Sequence, residues 1–254
     1  MATSFSRTPT KNLLENGPFG MLMGMNPARI DYLLRVLEGE RGEDLRGTRV
    51  LDVGCGIGLL SEPLARQGCH VAGIDSTDTS LALARQRATD AGLSIEYRTG
   101  RSEALPFDDG SFDVVICCDV LEHVDDLEQS LSESSRVLKP NGIYIYATLN
   151  RTFESWLLAI KFLQDWPFSR LLPDDLHRWR LFITPTELCS LMAARGLKNR
   201  ELFGLRPTNS PLKILRALFA CKRGKLTSCG FGSQLTMRLS RNARVQYLGH
   251  AVKV

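Results

Sequence analysis

Short apolar runs alternate with stretches of helical period along most of the chain, and that rhythm sets the expected architecture. Val50 to Val53 is an apolar, β-branched run of the kind that forms a buried parallel strand. Val71 to Ile74, Ile95 to Arg98, Phe112 to Cys118 and Ile143 to Thr148 repeat it. Between these lie segments at 59–67, with Pro63 expected to kink the opening turns, and at 79–90, capped by Thr77 or Asp78 and closed by Gly92. A further segment at 126–138 carries Leu127, Leu131 and Leu138 on one face and is halted by Lys139-Pro140-Asn141-Gly142. Ahead of the first strand, Asn26 and Pro27 read as the N-cap and first residue of a helix whose apolar face is Ile30, Leu33, Leu34 and Leu37.

Strand–helix alternation of this kind predicts an α/β fold, a doubly wound and mostly parallel sheet with helices on both faces. Stretches near 200–206 and 243–252 complete seven expected strands, and Thr184-Pro185-Thr186-Glu187 opens one more helix, closed by Gly196. Residues 151–183 break the rhythm. They hold all three tryptophans, Trp156, Trp166 and Trp179, and read as a helical insertion after the fifth strand. Residues 1–25 read as a flexible leader and 26–254 as a single domain.

Composition narrows the class. The 254 residues are 43% hydrophobic and 24% charged, an ordinary globular balance that fits one sizeable core. Seven cysteines without a C-x-x-C pair argue against a disulfide framework and a cysteine zinc site, and favour a reducing, intracellular setting. No apolar run is long enough to span a bilayer and no secretory segment is visible. The first 14 residues carry Arg7 and Lys11 and no acid, and resemble an organelle-targeting segment. A cytoplasmic location, peripheral on a membrane, is nonetheless expected over the mitochondrial matrix.

The net charge of +4 conceals an asymmetry. No acid follows Glu201, whereas ten basic residues do, leaving 22 basic against 28 acidic residues before that point. An anionic membrane surface is the expected partner of the basic part, and no nucleic-acid motif accompanies it.

The candidate chemistry begins at Asp52-Val53-Gly54-Cys55-Gly56-Ile57-Gly58. A strand turning on glycines into a helix brings bare backbone N–H groups against a ligand. Asp75 ends the second strand at the offset where an acid accepts hydrogen bonds from ribose hydroxyls. The glycine spacing differs from the G-x-G-x-x-G of nicotinamide-binding folds, and with Asp52 it resembles S-adenosylmethionine (SAM) methyltransferases.

The resemblance sharpens along the chain. Asn26-Pro27-Ala28-Arg29-Ile30-Asp31-Tyr32, Val50 to Arg66, Leu121-Glu122-His123-Val124 and Leu138-Lys139-Pro140-Asn141-Gly142 are all similar to the ubiquinone-biosynthesis O-methyltransferases, within the Rossmann-like class I SAM-dependent enzymes. Thr148-Leu149-Asn150-Arg151-Thr152 and Phe182-Ile183-Thr184-Pro185-Thr186-Glu187-Leu188 are the more selective stretches. The chain departs from that family at Asp174-Asp175-Leu176-His177, where a Gly-Thr-His segment is usual, and in its basic C-terminal third. The resemblance implies SAM as methyl donor, bound by Gly54, Gly56, Gly58 and Asp75, with Arg29 and Cys118 also lining the site. The acceptor it implies is a phenol or catechol, a polyprenylated quinone precursor.

A phenol costs about 4 kcal/mol to ionise at neutral pH, so a helper is expected. Asp119, Glu122 and His123 stand at i, i+3 and i+4, which one helical turn would place on a common face. Three readings stay open: a mixed-ligand site for a divalent cation such as Mg or Zn, implied also by the family's Glu-x-x-Glu-His; His123 as a metal-free general base; or a structural histidine. His177 is a further candidate for the acceptor pocket. His70 and His250 read as strand-edge residues without partners. Trp156 to Leu163, with Trp166 and Phe168, is expected to lie in a membrane interface. The competing functions are methylation of another small natural product, and a SAM-binding assembly protein with little turnover.

Overall fold

A computed structural model describes residues 18–254. Arg7 and Lys11 therefore lie outside the described residues. The centre is an eight-stranded sheet of order β3-β2-β1-β4-β5-β8-β6-β7. Its strands are β1 (Arg49–Val53), β2 (His70–Asp75), β3 (Ile95–Thr99), β4 (Phe112–Cys118), β5 (Leu138–Leu149), β6 (Leu197–Pro207), β7 (Met237–Ser240) and β8 (Gln246–Lys253). β3, β2, β1, β4 and β5 run parallel, whereas β8, β6 and β7 join antiparallel. The extra strand relative to the sequence expectation is β7, a four-residue edge strand. It is too short for alternation to show, and it is held by pairing Gly204 with Ser240 and Leu205 with Leu239.

Helices α1 (Pro18–Arg41), α2 (Ser61–Arg66), α3 (Asp78–Asp90), α4 (Leu127–Val137) and α5 (Pro185–Ala193) flank the sheet. Successive side chains on a strand point to opposite faces, and the core divides accordingly. Leu51, Val53, Val115 and Cys117 face Leu131 and Val137 of α4 and Leu188 and Met192 of α5. Val50, Val114, Ile116 and Ile145 face Tyr32, Leu33 and Leu37 of α1 and Leu64 of α2. Each such fully buried aliphatic side chain contributes about 1.5–3 kcal/mol, which is why period outweighs local propensity.

Two boundaries move. Asn26 is not an N-cap; α1 begins eight residues earlier, at Pro18, and carries Pro27 within it. Pro27 lacks the N–H that an interior position uses, so tertiary packing must hold the first turns. It does so where α1 crosses α7 (Ser228–Gln234): a Cβ on Gly24 would sit 2.1 Å from the Gly232 carbonyl oxygen. β5 starts directly at Leu138, with Asn141 at φ 60°, so Lys139 to Gly142 ends the helix by irregular strand entry and not by a loop.

The insertion comprises a helical turn at Phe153–Ser155, a π-helical segment at Trp156–Asp165 and a 3-10 turn at Trp179–Leu181. Ala159 and Ile160 pack on Phe182, with Trp156 and Leu149 alongside. Between β6 and β7 the chain leaves the sheet for α6 (Pro211–Lys222) and α7. Ala217, Leu218 and Phe231 of that excursion pack against Phe162 and Leu171 of the insertion and Met21 of α1. From β1 the chain winds outward to β2 and β3, then returns to β4 on the other flank. The carboxyl ends of β1 and β4 therefore form the crevice where open α/β sheets bind ligands.

Candidate active site

Val53 leads into Gly54, Gly56 and Gly58 at φ 70°, 53° and 81°, a region where L side chains are strained. Each glycine is also crowded by the protein itself. An added Cβ would lie 2.1 Å from Val120 at Gly54, 2.7 Å from the Phe19 ring at Gly56 and 2.3 Å from the Tyr97 hydroxyl at Gly58. The glycines are therefore needed for turn geometry and for packing beneath neighbouring side chains, beyond the approach of a ligand.

The two acids beside the loop have different tasks. Asp75 accepts hydrogen bonds from Gly56 N at 2.9 Å and Thr77 N at 2.8 Å. Burial raises its pKa, and these backbone donors only partly oppose the rise. Asp52 is buried and accepts from the Ser61 hydroxyl at 2.6 Å, tying the start of α2 under the loop. Burial pushes Asp52 up to about 7 against the opposing pull of the Ser61 bond.

A cleft of about 360 Å³, counting its open mouth, lies over the ends of β1 and β4, and Phe19, Asn26, Arg29, Gly54, Cys118 and Asp119 are among its lining. Arg29 is only 2% exposed, so it does not lie on a solvated face of its helix. Its Nη2 donates to Asp119 Oδ1 at 2.6 Å and its Nη1 to Asn26 Oδ1 at 3.2 Å, while Nε is buried without a partner among the described residues. Burial lowers the guanidinium pKa, but Asp119 and Cys118 outweigh it, so the net shift is upward. A buried cation that lines the cleft and keeps one donor unpaired among the described residues fits a ligand carboxylate, as a sulfonium amino-acid cofactor would present. Cys118 lines the same cleft, and burial holds its thiol protonated.

The acceptor side departs from expectation. Asp119, Glu122 and His123 do not share a face. Asp119 sits at φ 57° before the turn, and Leu121–His123 is a single 3-10 turn where an α turn was expected. The Asp119 carboxylate turns to Arg29 and to Gln246 Nε2, the latter at 2.8 Å. Glu122 points inward, buried, and accepts from the Thr148 hydroxyl at 2.7 Å. Its pKa is raised, first by burial and then by Asp119.

His123 goes a third way. Its ring keeps an exposed edge and stacks on His177 with centroids 5.2 Å apart. Among the described residues no three His, Cys, Asp or Glu side chains are grouped to hold a metal ion. The trio as arranged does not fit the expected divalent cation, because one oxygen already serves Arg29 and one carboxylate faces the interior.

His177 is brought in as the sequence allowed. Its backbone N–H donates to Gln164 Oε1 at 2.8 Å and its carbonyl accepts from Gln164 Nε2 at 3.2 Å. Desolvation lowers the pKa of both histidines, that of His177 to about 4. His250, expected to stand alone, instead meets the Tyr32 hydroxyl at 3.0 Å and lies among Glu40 and Glu201. Gln246, Asn26 and Thr148 escaped sequence reading. Asn26 and Thr148 carried a signal, each as the first residue of a stretch similar to the family, whereas Gln246 carried none. That stretch and Phe182 to Leu188 form one unit: Ile183 N donates to Leu149 O at 3.1 Å, and Arg151 pairs with Glu187.

Comparison with known proteins agrees with this geometry. A family described as "Methyltransferase domain" matches residues 51–146. The ubiquinone biosynthesis O-methyltransferase of Azorhizobium caulinodans is 40% identical, over 74% of this chain and 76% of its own length. The protein of the same name from Roseobacter denitrificans is 40% identical over 79% and 83%. Among solved structures, magnesium protoporphyrin IX methyltransferase from Synechocystis, with bound SAH, aligns at a TM-score of 0.61 and 19% identity, covering 93% of this chain and 86% of that one. That likeness concerns the fold alone.

Proposed function

The chain belongs to the ubiquinone biosynthesis O-methyltransferases, a family of SAM-dependent enzymes, and from that premise we propose that it methylates a phenolic or catechol oxygen of a lipid-tailed quinone precursor. One observation carries the reading. The end of β4 supplies Cys118 and Asp119 to the cleft at the switch point, and the turn that follows brings His123 against His177 of the insertion.

When bound, the sulfonium donor supplies an electrophilic methyl group. Arg29 and the loop of Gly54 to Gly58 would hold its amino-acid end, and the Asp75 carboxylate would accept from ribose hydroxyls. His123 is neutral at pH 7 because its pKa is lowered, so it can take the acceptor's proton as the new carbon–oxygen bond forms and the carbon–sulfur bond breaks. Its exposed edge then passes the proton to water. Asp119 orients Arg29, and Glu122 braces the turn against β5. His123→Ala should lower turnover by about 10²–10⁴-fold while leaving SAM affinity within about threefold. An equal loss of SAM affinity would remove His123 from the base role. The divalent-cation alternative predicts that chelation mimics that loss and that added metal reverses it.

The lipid tail needs a surface. No helix among the described residues is long and apolar enough to cross a membrane. The insertion exposes Leu157, Leu158, Trp166 and Phe168, with Trp166 stacked on Phe168 at 5.4 Å. Packed beside it, α6 exposes Leu212, Leu215 and Phe219 among Lys213, Arg216 and Lys222. Lys222 Nζ also donates to Arg170 O at 3.1 Å, joining the two elements. Apolar side chains ringed by cations suit the headgroup level of an anionic bilayer. Co-sedimentation with vesicles containing anionic lipid should therefore fall with salt in the wild type, and fall further in Trp166→Ala and Phe168→Ala. Binding unchanged by these substitutions would reject the docking role.

A further inference from the structure

Gln246 opens β8, opposite Leu149 of β5, and its side chain is buried. Its amide Nε2 donates to Asp119 Oδ1 at 2.8 Å, the same oxygen that takes Arg29 Nη2 at 2.6 Å. Asp119 is thereby held from two elements at once, β8 and α1, on a backbone at φ 57° that few non-glycine residues adopt. Nη2 and Nε lie along one edge of a guanidinium, the edge that a carboxylate with both oxygens free grips in a bidentate fork. Of that edge only Nη2 is engaged, and Nε stays buried without a partner among the described residues. A carboxylate pinned through Oδ1 by a second donor is prevented from swinging round to close that fork.

We infer that Gln246 is a positioning residue for methyl-donor binding: by pinning Asp119 it keeps the Nε of Arg29 open for the donor's carboxylate. The inference rests on the reading that the cleft takes SAM. Without Gln246, Asp119 would rotate to take both Nε and Nη2, and the donor's carboxylate would meet a guanidinium edge already occupied.

Calorimetry with two ligands separates this role from a structural one. SAM carries the amino-acid carboxylate; 5′-methylthioadenosine has the same adenosine and sulfur but no amino-acid end. Gln246→Leu should weaken SAM about tenfold, the scale of a lost charge-assisted hydrogen bond, and 5′-methylthioadenosine by less than about twofold. In turnover assays the loss should appear in the KM for SAM, with kcat nearly unchanged. Gln246→Asn retracts the amide by one methylene and should behave alike, which serves if the leucine variant does not fold. Equal weakening of both ligands, or SAM binding unchanged in both variants, would overturn the inference. Wild-type protein that binds neither ligand would instead overturn the SAM reading itself.

Discussion

Replacing Gly54 by alanine tests whether the loop glycines answer to the protein as well as to the ligand. Two costs are expected. Alanine in the left-handed region at φ 70° costs about 1–2 kcal/mol. Its methyl group would lie 2.1 Å from a γ-carbon of Val120, and overpacking of this kind costs about 1–3 kcal/mol more. Gly54→Ala should therefore destabilise by about 2–5 kcal/mol and weaken SAM as the loop shifts. Val120→Ala removes the offending methyls, so in that background the same substitution should cost only the dihedral part. A double-mutant cycle by urea unfolding, with m-values compared to confirm a common transition, measures the difference as a coupling of about 1–3 kcal/mol. An identical cost in both backgrounds would show that Val120 does not press on Gly54. No cost in either would refute the positive-φ argument as well.

Three further outcomes follow from the site. Asp52 has a folded pKa near 7, above an unfolded value of about 3.9, so the native state keeps that proton longer and loses stability as pH rises between about 4 and 7. Asp52→Asn should match the wild type near pH 4 and exceed it above pH 7 in urea melts; a constant offset across pH would disprove the assignment. Glu122→Gln can keep the Thr148 bond without a carboxylate, and it should retain turnover within about fivefold, whereas loss of all activity would return Glu122 to the chemistry. Exhaustive chelation should leave turnover intact, because Asp119 and Glu122 are committed to Arg29 and Thr148; activity lost and restored by metal would show that the turn rearranges around a cation.

The parallel half of the fold was legible because burial on both faces leaves near-continuous apolar strands, as in Val50 to Val53 and Phe112 to Cys118. The antiparallel edge was less so. β7 is brief and half-buried, and its position depends on partners in β6 distant in sequence. α1 was truncated at Asn26 because Asn26-Pro27 has the form of an N-cap and a first helical residue, while the packing that extends the helix before it, the glycine crossing with α7, involves residues some 200 positions away.

The site divides along the same line. Gly54, Gly56, Gly58 and Asp75 sit on local turns whose spacing determines their geometry, so sequence placed them. Asp119, Glu122 and His123 were read with helical spacing, and that assumption failed at Asp119, whose backbone is left-handed and whose carboxylate is taken by Arg29 and Gln246. What decides its direction is long-range: Arg29 lies 90 positions before it and Gln246 lies 127 after it. A carboxylate with two such partners is better placed to couple α1 and β8 to the donor cleft than to hold a cation beside His123. On the proposed function, the acceptor chemistry rests on the two stacked histidines, one from the β4 turn and one from the insertion that also carries the exposed aromatic surface. Movement of that insertion on a membrane would move His177 with it, because Gln164 ties the His177 backbone to the π-helical segment.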